Sequence, residues 1–156
     1  MSDDLLALIH SLAAYVWLGS LFGSLIFATI QTRRSPNGVL TGAMAILRFS
    51  TRVGLPAAVI LLIAGLWMTI GHGVSSSSPW ITAGFVLWLL AAVGGSALMH
   101  PAARRMRNAT SDSEAIDYAK RVILIGGAEI IVVAIAIWVM GRSEEHTSEL
   151  QSRGLI

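Results

Sequence analysis

The sequence predicts an all-α membrane protein, a bundle of four transmembrane helices with its N-terminus and C-terminus both on the outer side. Three observations lead there. The chain of 156 residues is 54% hydrophobic and only 13% charged, with mean hydropathy +0.70, whereas soluble domains carry about 25% charged residues. Four apolar segments, residues 5–30, 53–70, 80–99 and 122–140, each approach the ~20 residues that about 30 Å of hydrocarbon requires. The basic residues before position 142 all fall in the connections between the first and second and between the third and fourth segments.

The first segment, 5–30, follows a short acidic start, Asp3 and Asp4, with no basic residue ahead of it. A cleaved signal peptide has a positively charged n-region and a shorter apolar core, so this segment is expected to stay in the mature protein. Gly19 and Gly23 form a GxxxG step with Ser20 and Ser24 one residue along, a spacing at which helices can approach closely. At 100° per residue His10, Ala14, Trp17 and Ala28 share one face and Gly19 lies roughly opposite, so protein neighbours are expected on two sides.

Ser35, Pro36, Asn37 and Gly38 supply the turn chemistry of the first connection. From Val39 the chain is apolar again, interrupted by Arg48 and Arg52, and reads as a short interfacial helix or an inward prolongation of the second segment. Pro56 is expected in the first turn of that segment, where a missing N–H costs little. The second connection, GHGVSSSSP, carries no Asp, Glu, Lys or Arg. In the third segment Gly84, Trp88, Ala91 and Gly95 fall on one stripe, which predicts a central, closely packed helix ending at His100 and Pro101. Ser111, followed three residues on by Glu114, has the form of a capping box, with Ser113 the alternative cap.

Beyond Gly141 the composition changes abruptly. Residues 142–152, RSEEHTSELQS, match the translation of a widely used sequencing adapter, so residues 142–156 are expected to be a non-native tail. His146, Glu144, Glu145 and Glu149 therefore enter no functional argument. The domain is residues 1–141.

Arg33, Arg34, Arg48, Arg52, Arg104, Arg105, Arg107, Lys120 and Arg121 set the orientation. Short loops rich in Lys and Arg stay cytoplasmic, which sends the termini and the serine loop outward. The sequence pI near 9.7 is then a topology signal. The basic residues lie in the short connections and helix ends of an apolar chain, so no nucleic-acid partner is expected. Trp67, Trp80 and Trp138 fall near the outer ends of their segments, as an interfacial aromatic belt requires.

Three polar features could carry chemistry. His10 lies close in depth to Met68 and His72; imidazole with thioether suits copper, and imidazole alone suits haem iron. The alternative is a histidine that hydrogen-bonds a neighbouring helix. Glu129 should point into the bundle near the depth of Ser20 and Ser24, either marking a proton or ion pathway or bonded to those serines as structure. His100, beside Arg104 and Arg105, reads as a surface residue or a headgroup anchor. It lies roughly 20 Å or more from His10 on the 1.5 Å rise, so these two cannot be a haem pair. With no cysteine, thiolate metal sites and thiol nucleophiles are excluded. No phosphate loop, nucleophile elbow or dinucleotide fingerprint occurs.

The segments HSLAAYVWLGSLF, LPAAVILLIAGLWM and ALMHPAARRMR resemble a family of bacterial predicted integral membrane proteins with four helices, a domain of unknown function. The histidine followed by a Trp-x-Gly step also resembles the CopD-like copper resistance membrane domain and the HemJ-type protoporphyrinogen oxidase. Both latter resemblances imply a ligand role for His10. The oxidase's third-span lysine has no counterpart between Trp80 and Met99. The reading is a multi-pass protein of the bacterial inner membrane, non-enzymatic, structural or accessory to transport. The alternative is a haem or copper protein using His10. Glycine stripes beyond those one bundle needs leave room for a homodimer.

Overall fold

The computed structural model describes the backbone of residues 3–35, 37–71 and 79–152, and within them the side chains of 4–35, 37–71 and 81–139. Every described element is helical. The first rod is α1 (Asp3–Arg34). The second is continuous from Gly38 to Gly71, built of α2 (Gly38–Phe49), a π-helical turn (Ser50–Gly54) and α3 (Leu55–Gly71). The third has the same construction: α4 (Pro79–Leu89), a π-helical turn (Leu90–Gly94) and α5 (Gly95–Arg107). The fourth is α6 (Asp112–Ser152).

Four stretches, Asp4–Arg34, Gly38–Gly71, Ile81–Arg107 and Asp112–Val139, are long and apolar enough to cross a bilayer. At 1.5 Å per residue they are about 40–50 Å long, more than the hydrocarbon slab of about 30 Å. They therefore reach beyond the apolar segments of the sequence, all at the arginine-bearing end.

Packing changes character along the rods. In one half the core is Ala13, Trp17, Leu21, Ala57, Ala58, Leu61, Ala91, Ile130 and Val133, and the outer surface is apolar too, with Tyr15, Ile63, Trp67 and Trp138 each more than half exposed. Apolar residues inside and outside together suit a lipid solvent. In the other half a separate core forms from Ala28, Val39, Ala43, Ile46, Met99, Ala102, Met106, Ala119 and Val122. There the outer faces carry Arg48, Arg104, Arg105 and Arg107, the amphipathic pattern of helices in water.

Local chemistry explains the connections at that end. Gly38 N–H donates to Ser35 O at 3.0 Å, and a side chain on Gly38 would overlap the Gln31 carbonyl. Gly42 then lets α2 lie directly on α1, since a Cβ there would stand 2.7 Å from Ala28 Cα. After α5, Asn108 N–H donates to the carbonyls of Arg104 and Arg105. Ser111 is the cap of α6: Glu114 N–H donates to Ser111 Oγ at 3.3 Å and Thr110 N–H to Glu114 Oε2 at 3.1 Å.

Four expectations are corrected. The apolar stretch after Val39 prolongs the second rod, so Pro56 is not in a first turn but directly follows a π-turn inside a longer helix. Leu55 N–H there reaches back to Ser50 O, and this changed register already interrupts the ladder that a proline would break. The third helix does not end at His100 and Pro101; it runs to Arg107 with Pro101 inside. An internal proline costs about 3 kcal/mol, and burial of Ala102, Ala103 and Met106 at 8%, 1% and 6% exposure offsets it, a methionine alone contributing about 1.5–3 kcal/mol.

The third rod is also not central. Its stripe Gly84, Ala91 and Gly95 is buried and Trp88 partly so, but Phe85, Val86, Leu90 and Val93 are exposed, and the helix that touches all three other rods is α6. Gly19 and Gly23, finally, have nothing within 4 Å of where a Cβ would stand. Helix α1 uses its Ala13, Trp17, Leu21, Ser24 and Ala28 face instead, where Trp17 and Leu21 fill the core and the small residues between them let neighbouring helices close in.

Candidate functional site

Glu129 is a buried acid on the part of α6 that crosses the apolar half, 7% exposed. An unpartnered carboxyl in such surroundings is costly, and its neighbours answer that cost. The Trp17 side chain from α1, 3% exposed, hydrogen-bonds it; an indole has only its N–H to offer, so Trp17 Nε1 donates and the carboxyl accepts. From the third rod Gly95 supplies a hollow: a Cβ on Gly95 would lie 3.0 Å from both Glu129 Cδ and Oε2.

Both π-turns converge on this pair. The turn Leu90–Gly94 ends where Gly95 begins. The turn Ser50–Gly54 ends in a buried glycine whose Cβ would stand 3.4 Å from Trp17 Cδ1 and 3.5 Å from Ser20 Oγ. π-Turns inside α-helices occur mostly as single insertions and frequently at functional sites. Here one leads into the glycine that meets the carboxyl and the other ends in the glycine that meets its indole partner.

The serines do not partner Glu129 in the structure. Ser20 Oγ donates to Trp17 O at 2.8 Å and Ser24 Oγ to Leu21 O at 2.9 Å, each returning its hydrogen to its own helix. Their role is therefore local, beside the carboxyl's indole donor. Trp17 was absent from the sequence reading of this site. A buried indole needs an acceptor, and that requirement was the available signal.

His10 lies elsewhere, towards the other end of α1. Its Nδ1 is 3.1 Å from Leu61 O, and since a carbonyl only accepts, Nδ1 carries the hydrogen. The ring rests on Gly65, where a Cβ would come within 3.0 Å of Cε1. Met68 follows on the same helix, partly buried, and His72 lies outside the described residues, as does the side chain of Trp80. Among the described residues no group of three or more His, Cys, Asp or Glu is placed to hold a metal ion. His100 is exposed, with Nδ1 at 2.9 Å from Ser96 O.

The nine Lys and Arg residues before position 142 all gather at the opposite end from His10. Arg105 and Arg121 lie 5.9 Å and 5.2 Å over the Tyr118 ring, and Lys120 pairs with Asp117 at 3.3 Å. Arg33 and Arg34 close α1, where cations favour the helix C-terminus.

Four long apolar rods, lipid-compatible on their outer surface and closed around a buried carboxyl, define a multi-pass helical integral membrane protein. Residues 4–143 match the family model described as Predicted integral membrane protein (DUF2269), and the chain belongs to that family. No curated protein matches the chain, and no solved structure does.

Proposed function

We propose that this chain is a non-enzymatic membrane protein, accessory to transport, whose working group is the Glu129 carboxyl. The observation that carries the reading is the placement of that carboxyl: buried against Gly95 at the end of one π-turn and hydrogen-bonded by Trp17, which packs on the other. Ionisable groups inside spanning helices mark proton or ion pathways by default. A single carboxyl with one indole donor lacks the several oxygens that a bare divalent cation demands. It suits a proton, taken up as carboxylate becomes carboxylic acid and returned in the reverse step.

Infrared difference spectra of the purified full chain between acidic and alkaline buffer test this. A carboxyl band lost in Glu129→Gln is the expected result. Spectra unchanged by that substitution make Glu129 structural and end the reading.

One observation favours a second reading, a haem or copper protein using His10. Metal-bound imidazoles usually donate their other N–H to a carbonyl or carboxylate, and His10 Nδ1 does so to Leu61. The position suits one ligand. The sequence reading sets Met68 and His72 beside it, Met68 partly buried on the same helix as Leu61 and His72 outside the described residues. Metal and haem content of the purified protein beside His10→Ala decides: stoichiometric haem or copper lost in the variant selects this reading.

The remaining features extend the proposal. The membrane is the bacterial inner membrane, with the arginine-bearing end cytoplasmic and both termini outside, supported by the distribution of Lys and Arg. Gly19 and Gly23, facing away from the bundle, suit the interface of a homodimer. Residues 142–156 are a non-native tail, supported by their match to an adapter translation.

A further inference from the structure

The second and third rods pack through α1 and α6 far more than on each other, and where they diverge a cavity of about 310 Å3 opens. It lies between the π-turn Ser50–Gly54 and α5, at the level where the sequence passes from apolar to basic. Arg48 and Arg52 line it from one side, His100 and Arg107 from the other, and no acid lines it. None of the three arginines forms an ion pair with a carboxylate among the described residues. Leu55 and Met99 continue the cavity wall towards the apolar half.

We propose that this cleft binds the phosphate headgroup of an anionic phospholipid, with Arg48, Arg52 and Arg107 around the phosphate and the acyl chains running along Leu55 and Met99. Positive-inside arginines need only point into water. These come from two separate rods and face one concavity, with the imidazole of His100 beside them, its Nδ1 donating to the Ser96 carbonyl. Guanidinium groups match phosphate oxygens in geometry and charge. Basic pockets between spanning helices at the cytoplasmic side are where anionic headgroups bind. The apolar walls select a lipid over a free phosphate ion, which has nothing to place against them.

The test is native mass spectrometry of the full chain released from nanodiscs containing equal parts phosphatidylglycerol and phosphatidylcholine. The wild-type protein should retain phosphatidylglycerol preferentially, and excess inorganic phosphate should not displace it. Combining Arg48→Gln, Arg52→Gln and Arg107→Gln should weaken retention, roughly fivefold for each guanidinium removed. The control combining Arg33→Gln, Arg34→Gln and Arg104→Gln, with equal charge loss outside the cleft, should retain the lipid. Equal loss in the control, equal retention of phosphatidylcholine, or displacement by phosphate would each overturn the proposal. Should the triple variant not fold, Arg52→Gln alone and the two wild-type comparisons decide it on the same criteria.

Discussion

The indole of Trp17 and the carboxyl of Glu129 meet inside the bundle, 3% and 7% exposed, and are joined by a hydrogen bond between the first and fourth helices. Each residue supplies what the other lacks: a buried N–H needs an acceptor and a buried carboxyl needs a donor. This contact orders α1 against α6 in a medium where apolar surface alone gives helices no reason to associate.

Trp17→Phe should therefore destabilise the protein by about 1–3 kcal/mol or somewhat more, because it leaves the carboxyl without its donor and puts a smaller ring in the core. Trp67→Phe, at a residue 61% exposed, should change stability by about 0.5 kcal/mol or less. Thermal unfolding in mild detergent compares them; equal losses in both variants would remove the Trp17 contact from the account.

Gly95→Ala should cost about 1–3 kcal/mol by pushing a methyl group into the carboxyl. The same substitution in a Glu129→Ala background should cost much less, since the clashing atoms are gone. The coupling is read from a double-mutant cycle, and additive effects would show that Gly95 does not cradle Glu129.

Orientation can be read by labelling, because the chain contains no cysteine. A single Ser76→Cys should react with an impermeant maleimide added outside intact cells, and a single Asn108→Cys should react only after lysis. The reverse pattern would place the arginine-bearing end outside.

A chain of residues 1–141 should insert and match the stability of the full chain within about 0.5 kcal/mol, although α6 continues through Ser152. Sequencing the gene from source DNA gives a second check: native codons running through RSEEHTSELQS would make the tail genuine.

Ser111→Ala should cost about 1 kcal/mol, the usual value of an N-cap, and Ser113→Ala markedly less. Glu114 N–H bonds Ser111 Oγ, while Ser113 Oγ reaches only Ser111 Oγ, at 3.1 Å. A larger loss at Ser113 would move the cap.

The sequence by itself determined the class of protein, the four apolar segments, the basic end and the capping box, because each is written in composition or in spacing of a few residues. Lipid imposes backbone hydrogen bonding within each segment, so an apolar run of that length has one structural outcome. Tertiary structure alone decided what those rods do to one another. Whether residues 39–52 lie on the membrane or prolong a helix, whether Pro101 stops a helix or sits inside one, and which face of α1 is buried all depend on neighbours distant in sequence. The same holds for the Glu129 site. A GxxxG step and two serines are local patterns and drew the sequence reading, whereas the indole donor, the Gly95 hollow and the two π-turns belong to three different helices and exist as a site only when those helices pack.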